Sequence, residues 1–267
     1  MQRSPLAAVA LAVLLMTAGC SGVFGGDGTP SSAEPTPVDG DAANTVPGVE
    51  NGQVTNATAL LAAHERGLVA AGFENRLQLN ATVAYRGEAV KSAREKQVIT
   101  EPGASAYRFR VVNQQGGGDV RFDHWGNETV WVSRGLLGDR TTYQVRDRRA
   151  GTSGLTVSGV MANYINGSEA TVTNVSERDG QTLVTFETTT PPTDPDALPD
   201  NATNVRDYRL RFVADSQGRI HALVARGTYD IQGESSSFSV GYRTVGLGDR
   251  SVTQPDWASQ ALQNGSA

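Results

Sequence analysis

Residues 77–85 read LQLNATVAY, and apolar and polar side chains alternate along them as far as Val83. Successive side chains of a β-strand point to opposite faces of a sheet. The pattern therefore predicts a strand with one buried and one exposed face. The stretches YRFRV (107–111) and YRLRF (208–212) repeat this alternation and place arginines on the exposed face. All three stretches predict amphipathic strands whose apolar faces must pack against another layer.

Further strands are favoured by alternation or by β-branched and aromatic content in eight other stretches. Turn sequences such as QGGGD (115–119) and DSQG (215–218) separate neighbouring strands, while the proline-rich residues 191–203 predict a loop. Connections this short join antiparallel neighbours, so the sequence predicts an antiparallel meander of about ten strands. The eight stretches are residues 88–99, 119–125, 128–134, 141–147, 169–177, 181–190, 219–231 and 235–245.

Two segments follow the spacing of a helix instead of a strand. Thr55–Ala71 places Leu60, His64 and Leu68 on one helical face, and Thr152–Asn166 is similarly rich in apolar residues. A glycine follows each segment, as is common after a helix. We expect an α+β fold in which a curved antiparallel sheet of half-barrel form is covered by these two helices.

The N-terminal stretch LLMTAGCSG (14–22) contains Cys20, the only cysteine of the chain. Arg3, the apolar run Leu6–Met16 and the small residues before Cys20 are typical of a secretory signal peptide. An uncleaved membrane anchor is the alternative, but the apolar run is shorter than the roughly 20 residues that span a bilayer. The sequence LMTAGC also resembles a lipobox. That resemblance implies cleavage before Cys20 and attachment of lipid to its sulfur.

The residues after Cys20 are rich in glycine, serine, threonine, proline and aspartate and have no hydrophobic period. Such a composition buries too little apolar surface to offset the entropy of ordering, and it predicts a disordered tether. We therefore divide the chain into a lipoprotein signal peptide (1–19), a lipid-anchored tether (20–53) and a half-barrel domain (54–267).

The charge of the chain argues against nucleic-acid binding. Its 23 basic and 28 acidic residues give a net charge of −5, and a nucleic-acid surface is usually basic. Lys91 and Lys96 are the only lysines. This acidic, lysine-poor composition resembles that of proteins from salt-loving archaea.

Asparagine in the pattern N-x-S/T indicates a glycoprotein that faces the outside of the cell. The alternative is that threonine-rich strands and asparagine-rich turns create the pattern by composition. The glycosylation candidates are Asn56, Asn80, Asn127, Asn166, Asn174, Asn201 and Asn264.

Residues suited to catalysis are few. His64, His124 and His221 are the only histidines, and none has a sequence partner that would activate a nucleophile. Asp123 precedes His124 in a predicted strand, so their side chains should point to opposite faces. The acidic loop 194–201 lacks the glycine and terminal glutamate of a calcium loop. The sequence thus predicts a protein without enzymatic activity, metal or cofactor.

The order of elements, an N-terminal helix followed by a long antiparallel meander with an inserted helix, resembles the half-barrel of the bacterial lipoprotein carrier and of mycobacterial lipid-carrying lipoproteins. The hairpin FVADSQGRIHAL (212–223) is similar to one common in those proteins. The lipobox, the acidic tether, this hairpin and the closing PDWA (255–258) also resemble a family of haloarchaeal lipoproteins. The first resemblance implies a cavity for a hydrophobic ligand inside the sheet.

The inner face of a curved sheet could hold either such a cavity or a filled core, and the sequence leaves both open. We expect a lipoprotein anchored to the cell membrane through Cys20, facing outward, that binds or carries a lipid or other hydrophobic ligand. The alternative is a glycosylated envelope module that has no small ligand and contacts other envelope proteins through an exposed patch around Trp125, Trp131 and Trp257. The cavity candidates are Leu77, Leu79, Val83, Tyr107, Phe109, Tyr208, Leu210, Phe212, Phe238, Val240 and Tyr242.

Overall fold

The structure, a computed structural model, describes residues 40–264; the predicted signal peptide, Cys20 and the tether as far as residue 39 lie outside them. The α-helices of the described part are α1 (Gly40–Ala43), α2 (Ala57–Ala71), α3 (Thr152–Thr156), α4 (Ser158–Ile165) and α5 (Asp256–Asn264), and short 3-10 helices span Pro102–Ala104 and Pro195–Ala197. Its strands are β1 (Val49–Glu50), β2 (Gln53–Val54), β3 (Phe73–Tyr85), β4 (Glu88–Thr100), β5 (Ala106–Gln115), β6 (Gly118–Asn127), β7 (Trp131–Leu137), β8 (Arg140–Arg146), β9 (Thr171–Arg178), β10 (Gln181–Thr188), β11 (Thr203–Asp215), β12 (Ile220–Ile231) and β13 (Glu234–Leu247).

The described strands form one antiparallel sheet with the order β1-β2-β9-β10-β11-β12-β13-β3-β4-β5-β6-β7-β8. The sheet is open, because β1 and β8 end the order without pairing to each other. Two meanders, β3 to β8 and β9 to β13, are joined where β13 pairs with β3. The predicted antiparallel sheet is confirmed. The 13 strands exceed the predicted number, because β1 and β2 are too short to show any alternation.

The end of the predicted tether belongs to the folded domain. Ala43, Val46 and Val49 are at most 5 % exposed and lie in the main core. β2 also joins the sheet through the pair of Gln53 with Thr171 of β9. The predicted domain start at residue 54 is therefore too late. Single apolar residues spaced among Gly and Asn give no period, yet each one fills a position in the core.

Helices cover the sheet on both faces, whereas two helices on one face were predicted. We call the face that carries Leu77 and Val240, which packs on α2 and α4, the inner face. The predicted helix 152–166 is present but is broken at Val157, whose φ of 67° is left-handed. α5, which the sequence did not predict, packs its Ala258 and Ala261 against β6 and β7 on the opposite, outer face.

The pairing of β3 with β13 covers only part of β3. It ends at the pair of Asn80 with Ser239, although β3 continues to Tyr85. Two residues further on, the Tyr229 hydroxyl of β12 reaches past β13 to Thr82. It accepts a hydrogen bond from the Thr82 amide at 2.8 Å and donates one to the Thr82 carbonyl. A side chain thus replaces the backbone ladder where the two strands separate.

His64 of α2 ties the helix to the sheet at the centre of the core. Its Nδ1 accepts a hydrogen bond from the Ile220 amide at 3.0 Å, so the proton is on Nε2, which lies 3.3 Å from the carbonyl oxygen of Thr156. The hairpin before Ile220 lies against the helix: Gly218 has φ of +80°, and a Cβ there would be 2.7 Å from the Cβ of Ala63. Burial lowers the pKa of His64 from 6.5 to about 4.

Tyr229→Phe should destabilise the protein by about 1–3 kcal/mol, because the Thr82 amide and carbonyl lose their partner. Amide exchange should become faster at Thr82, while exchange in the paired half of β3 stays close to that of the wild type. Urea unfolding and residue-resolved hydrogen exchange measure the two effects. Unchanged exchange at Thr82 would show that Tyr229 does not hold the separated end of β3.

Stability should fall as the pH drops through the window between the unfolded and folded pKa values of His64. Above about pH 6.5 the imidazole is neutral in both states, whereas below it the unfolded chain takes up a proton that folded His64 binds only near pH 4. The full loss is about 3 kcal/mol. Urea unfolding at a series of pH values measures it in the wild type and in His64→Gln, whose amide can make the same two hydrogen bonds without titrating. Equal pH slopes in the two proteins would contradict the assignment.

Candidate functional site

The predicted cavity residues do not line one continuous cavity. Side chains from α2 and α4, including Leu60, Met161 and Ile165, fill the inner face and are at most 1 % exposed. Three of the predicted residues, Leu79, Val83 and Phe109, are partly exposed, and the rest are core. The buried ones are Leu77, Tyr107, Tyr208, Leu210, Phe212, Phe238, Val240 and Tyr242.

A cavity of about 220 Å³ remains at one end of this core. Leu79, Phe238 and Val240, all predicted cavity residues, form its wall on the sheet. Tyr164 of α4 and Leu198 of the loop between β10 and β11 form the opposite wall. The cavity lies beside the point where β3 and β13 separate, so it occupies space that neither a strand nor a helix fills.

Arg94 of β4 and Asp196 of the loop also line this cavity, and both are exposed. Arg94 pairs across the sheet with Leu79, so it lies on the inner face among apolar neighbours. Sequence analysis did not identify Arg94 as a site residue, because β4 has polar residues on both of its faces. That lack of alternation was itself the available signal, since it distinguishes β4 from the amphipathic strands around it.

The proline-rich loop predicted over residues 191–203 forms one wall of the cavity. The Tyr164 hydroxyl donates a hydrogen bond to the carbonyl of Ala197 at 2.8 Å, and the Asn163 amide donates one to the carbonyl of Asp196 at 3.1 Å. Burial raises the pKa of Tyr164 to about 12, so its hydroxyl keeps its proton. Two side chains of α4 therefore hold this loop over the cavity.

A polar cleft of about 590 Å³ adjoins the apolar cavity. The two share Asn80, Ala81, Ser92 and Phe238 as lining residues. Lys91 and Asp119 add one cationic and one anionic group to the cleft. The gap between β3 and β13 thus places an apolar compartment next to a polar one.

An aromatic group occupies the inner face at β5 to β7. The rings of Phe109 and His124 stack with centroids 4.1 Å apart, and the Trp131 indole donates to His124 Nδ1 at 3.1 Å. The Lys96 ammonium lies 4.9 Å from the centre of the Phe109 ring and donates to the carbonyl of Gly154 at 2.6 Å. Burial, with the nearby Lys96 charge, lowers the pKa of His124 to about 4, so this imidazole is neutral near pH 7. Asp123 lies on the outer face, as its place before His124 predicts.

His221 meets a carboxylate, but that carboxylate organises a hairpin. Asp215 accepts from His221 Nε2 at 2.9 Å, from Arg219 Nε at 2.7 Å, and from the backbone amides of Gln217 and Arg219 at 3.0 Å. Burial opposes the ionisation of Asp215, but these bonds outweigh it and hold its pKa below the usual value. Within residues 40–264, no group of three or more His, Cys, Asp or Glu side chains could hold a metal ion.

The asparagines predicted to carry glycans are mostly exposed, whereas the tryptophans predicted to contact partners are not. Six of the seven candidate asparagines are exposed, and Asn127 is partly buried. Trp125 is only 5 % exposed and packs under α5, while Trp131 and Trp257 are partly buried. The three tryptophans thus do not form the exposed patch expected for an envelope module.

In the part of the chain that the structure describes, no helix has the length and apolar character needed to cross a bilayer.

Several solved structures resemble the chain at low identity. A LolA superfamily protein of Nitrosomonas europaea is 9 % identical with a TM-score of 0.27, over 75 % of this chain and 98 % of that one. A putative outer membrane lipoprotein-sorting protein domain of Vibrio parahaemolyticus is 12 % identical with a TM-score of 0.26, over 78 % and 99 %. The Mycobacterium tuberculosis lipoprotein LppX is 13 % identical with a TM-score of 0.33, over 74 % and 100 %.

The open antiparallel sheet is established by the chain's own strand order, independently of these similarities. Among curated proteins, none matches the sequence. One family of sequences does match, and its match extends over residues 5–261, which include the whole sheet and most of α5. The chain therefore belongs to DUF7537, a family of unknown function.

Proposed function

We propose that this protein binds an amphiphile, a molecule with an apolar chain and a polar head, at the gap between β3 and β13. The observation that supports the proposal is the pair of adjoining compartments. One has apolar walls formed by Leu79, Tyr164 and Val240, and the other is polar. An apolar chain in the first would place its head in the second, beside Lys91. The proposed role is binding or carrying, without catalysis.

The sizes of the compartments suggest how a ligand enters. Ligand pockets usually measure about 300–1,000 Å³. The polar cleft falls in that range at about 590 Å³, whereas the apolar cavity is smaller at about 220 Å³. We therefore propose that a longer chain displaces the loop that the Tyr164 hydroxyl holds at Ala197. The Asn163 bond to the carbonyl of Asp196 would be lost as well. Two neutral hydrogen bonds contribute about 2 kcal/mol, which burial of a few methylene groups could offset.

Asn80 links this proposal to glycosylation. It is one of the candidate asparagines, and it lines both compartments. A glycan on Asn80 would fill the polar cleft and exclude the head of a ligand. Ligand binding and a glycan at Asn80 are therefore alternatives in one molecule, whereas glycans at Asn174 or Asn201 leave the cleft open.

We further propose that Cys20 carries lipid and holds the domain at the outer surface of the cell membrane. This proposal rests on the signal-peptide pattern and the lipobox around Cys20. Each buried methylene contributes about 0.8 kcal/mol, so two long chains would give a stable anchor. A tether between anchor and domain would let the cleft face a ligand source.

A bulky residue in the apolar cavity should block ligand binding. In the full chain carrying Cys20→Ser, Leu79→Trp should weaken binding of a dansyl-labelled undecanoic acid by at least about tenfold, a loss of roughly 1.4 kcal/mol. Gln78→Trp adds the same side chain at the neighbouring exposed position and should bind as the parent does. Fluorescence titration of the dansyl group measures all three proteins.

Ala81→Leu provides a second, smaller filling of the same cavity if Leu79→Trp folds poorly. Ala81→Leu should also weaken binding of the dansyl-labelled probe, and its circular dichroism spectrum should match that of the parent. Equal probe affinity in the parent, Ala81→Leu and Gln78→Trp would refute the site.

Cys20→Ser should release the protein from the membrane fraction, because serine has no sulfur to accept the lipid. Fractionation of cells that express each form measures this, and intact mass of the native protein should show lipid on a chain that begins at Cys20. A native chain that begins at Met1, or that has the mass of the unmodified polypeptide from residue 20, would disprove the anchor.

A further inference from the structure

Arginines converge on one carboxylate on the outer face, away from the amphiphile site. Gln97, Arg110, Asp123 and Arg134 stand opposite one another on the adjacent strands β4, β5, β6 and β7. Asp123 accepts from Arg110 Nε at 2.9 Å and from a terminal nitrogen of Arg134 at 2.7 Å. Arg121 binds the same carboxylate through Nε and a terminal nitrogen, each 3.1 Å from Oδ1.

One carboxylate neutralises only part of this positive charge. Burial opposes ionisation of Asp123, but the hydrogen bonds from Arg134, Arg110 and Arg121 outweigh it and hold its pKa below the usual value. Three guanidinium groups around one anion leave an excess of two positive charges. Arg108, which lines the same region, forms no ion pair within residues 40–264.

The arginines keep donors available while Asp123 fixes their positions. A guanidinium has five N–H groups, and Arg110, whose side chain is 53 % exposed, binds Asp123 through Nε alone. Its terminal nitrogens therefore have no protein partner in the described residues. Arg134 is also held by Trp257, whose ring centre lies 5.0 Å from the guanidinium carbon. Its Nε is buried without a hydrogen-bond partner in the same part of the chain.

A concave site accompanies these donors. A cavity of about 340 Å³ lies between the sheet and the start of α5. Arg108, Arg110 and Arg134 line it together with Pro255 and Trp257, and Asp123 is its one acidic lining residue. The cavity therefore combines fixed guanidinium groups, excess positive charge and an aromatic wall.

We propose that this cavity is a binding site for an oxyanion, a phosphate, sulfate or carboxylate group, free or carried on a small molecule. Guanidinium forks match the geometry of such groups and bind them with charge-assisted hydrogen bonds. A bound oxyanion would neutralise the positive charge of the arginines that Asp123 alone does not balance. The site lies on the outer face and does not depend on the amphiphile proposal.

The test compares the full chain carrying Cys20→Ser with the same chain bearing Arg110→Gln or Arg76→Gln. Arg76 is the matched control, because it is 54 % exposed on the outer face and pairs with Glu74. Calorimetric titration uses inorganic phosphate, inorganic sulfate, glucose 6-phosphate and glucose, with sodium chloride at equal ionic strength as the reference. We expect phosphate or sulfate to bind the parent and Arg76→Gln equally, and Arg110→Gln at least about fivefold more weakly.

The ligands distinguish the source of the oxyanion. Tighter binding of glucose 6-phosphate than of inorganic phosphate, with no binding of glucose, would indicate a sugar-linked anion resting on Trp257. Equal affinities would indicate a site for the free anion. The proposal is overturned if no oxyanion binds beyond the chloride reference, or if Arg110→Gln and Arg76→Gln respond alike.

Discussion

The rest of the structure depends on the pairing of β13 with β3. It joins the two meanders into one sheet, and it stops at Asn80 although β3 continues to Tyr85. Backbone groups left by that stop need partners, because buried unpaired amides and carbonyls are costly. Tyr229 supplies them for Thr82. Tyr229 thus satisfies the backbone of Thr82 where the sheet opens, and the opening lies beside Leu79.

The helices packed on the inner face explain why only a small cavity is left there. α2 and α4 pack on the inner face at the main core, and His64 fixes α2 through two backbone contacts that leave no polar atom of the ring unpaired. The cover ends near Tyr164, and only a loop continues it. The polar inner face of β4, with Ser92 and Arg94, begins at the same place. Apolar and polar surfaces thus meet where a packed core would otherwise be expected, which is the arrangement that an amphiphile requires.

Local pattern was sufficient to predict most of the fold. Alternation in stretches such as residues 77–85 identified the strands, because side chains at period two must share a face. It could not identify Ala43 or Val46, whose burial comes from tertiary contacts with no period of their own. Equally, it could not show which inner residues border a cavity, since Leu77 and Leu79 have the same pattern but Leu77 is buried in the core while Leu79 is partly exposed and borders the cavity.

The arginines illustrate the same limit on the outer face. The repeated YRFRV and YRLRF stretches look alike, yet Arg110 joins a cluster with excess charge while Arg209 pairs with Glu187. Whether an arginine joins such a cluster depends on the residues of the neighbouring strand. The order of strands in a sheet is set by long-range contacts, which the local sequence pattern does not show.

Hydrogen–deuterium exchange of the full chain with and without dodecanoate tests the central claim, that the separation of β3 from β13 is where a ligand binds. Exchange should become slower in residues 80–85 and in the loop at 195–199, with little change in α5. Unchanged exchange at both segments under saturating dodecanoate, or protection confined to α5 and residues 121–134, would contradict this claim.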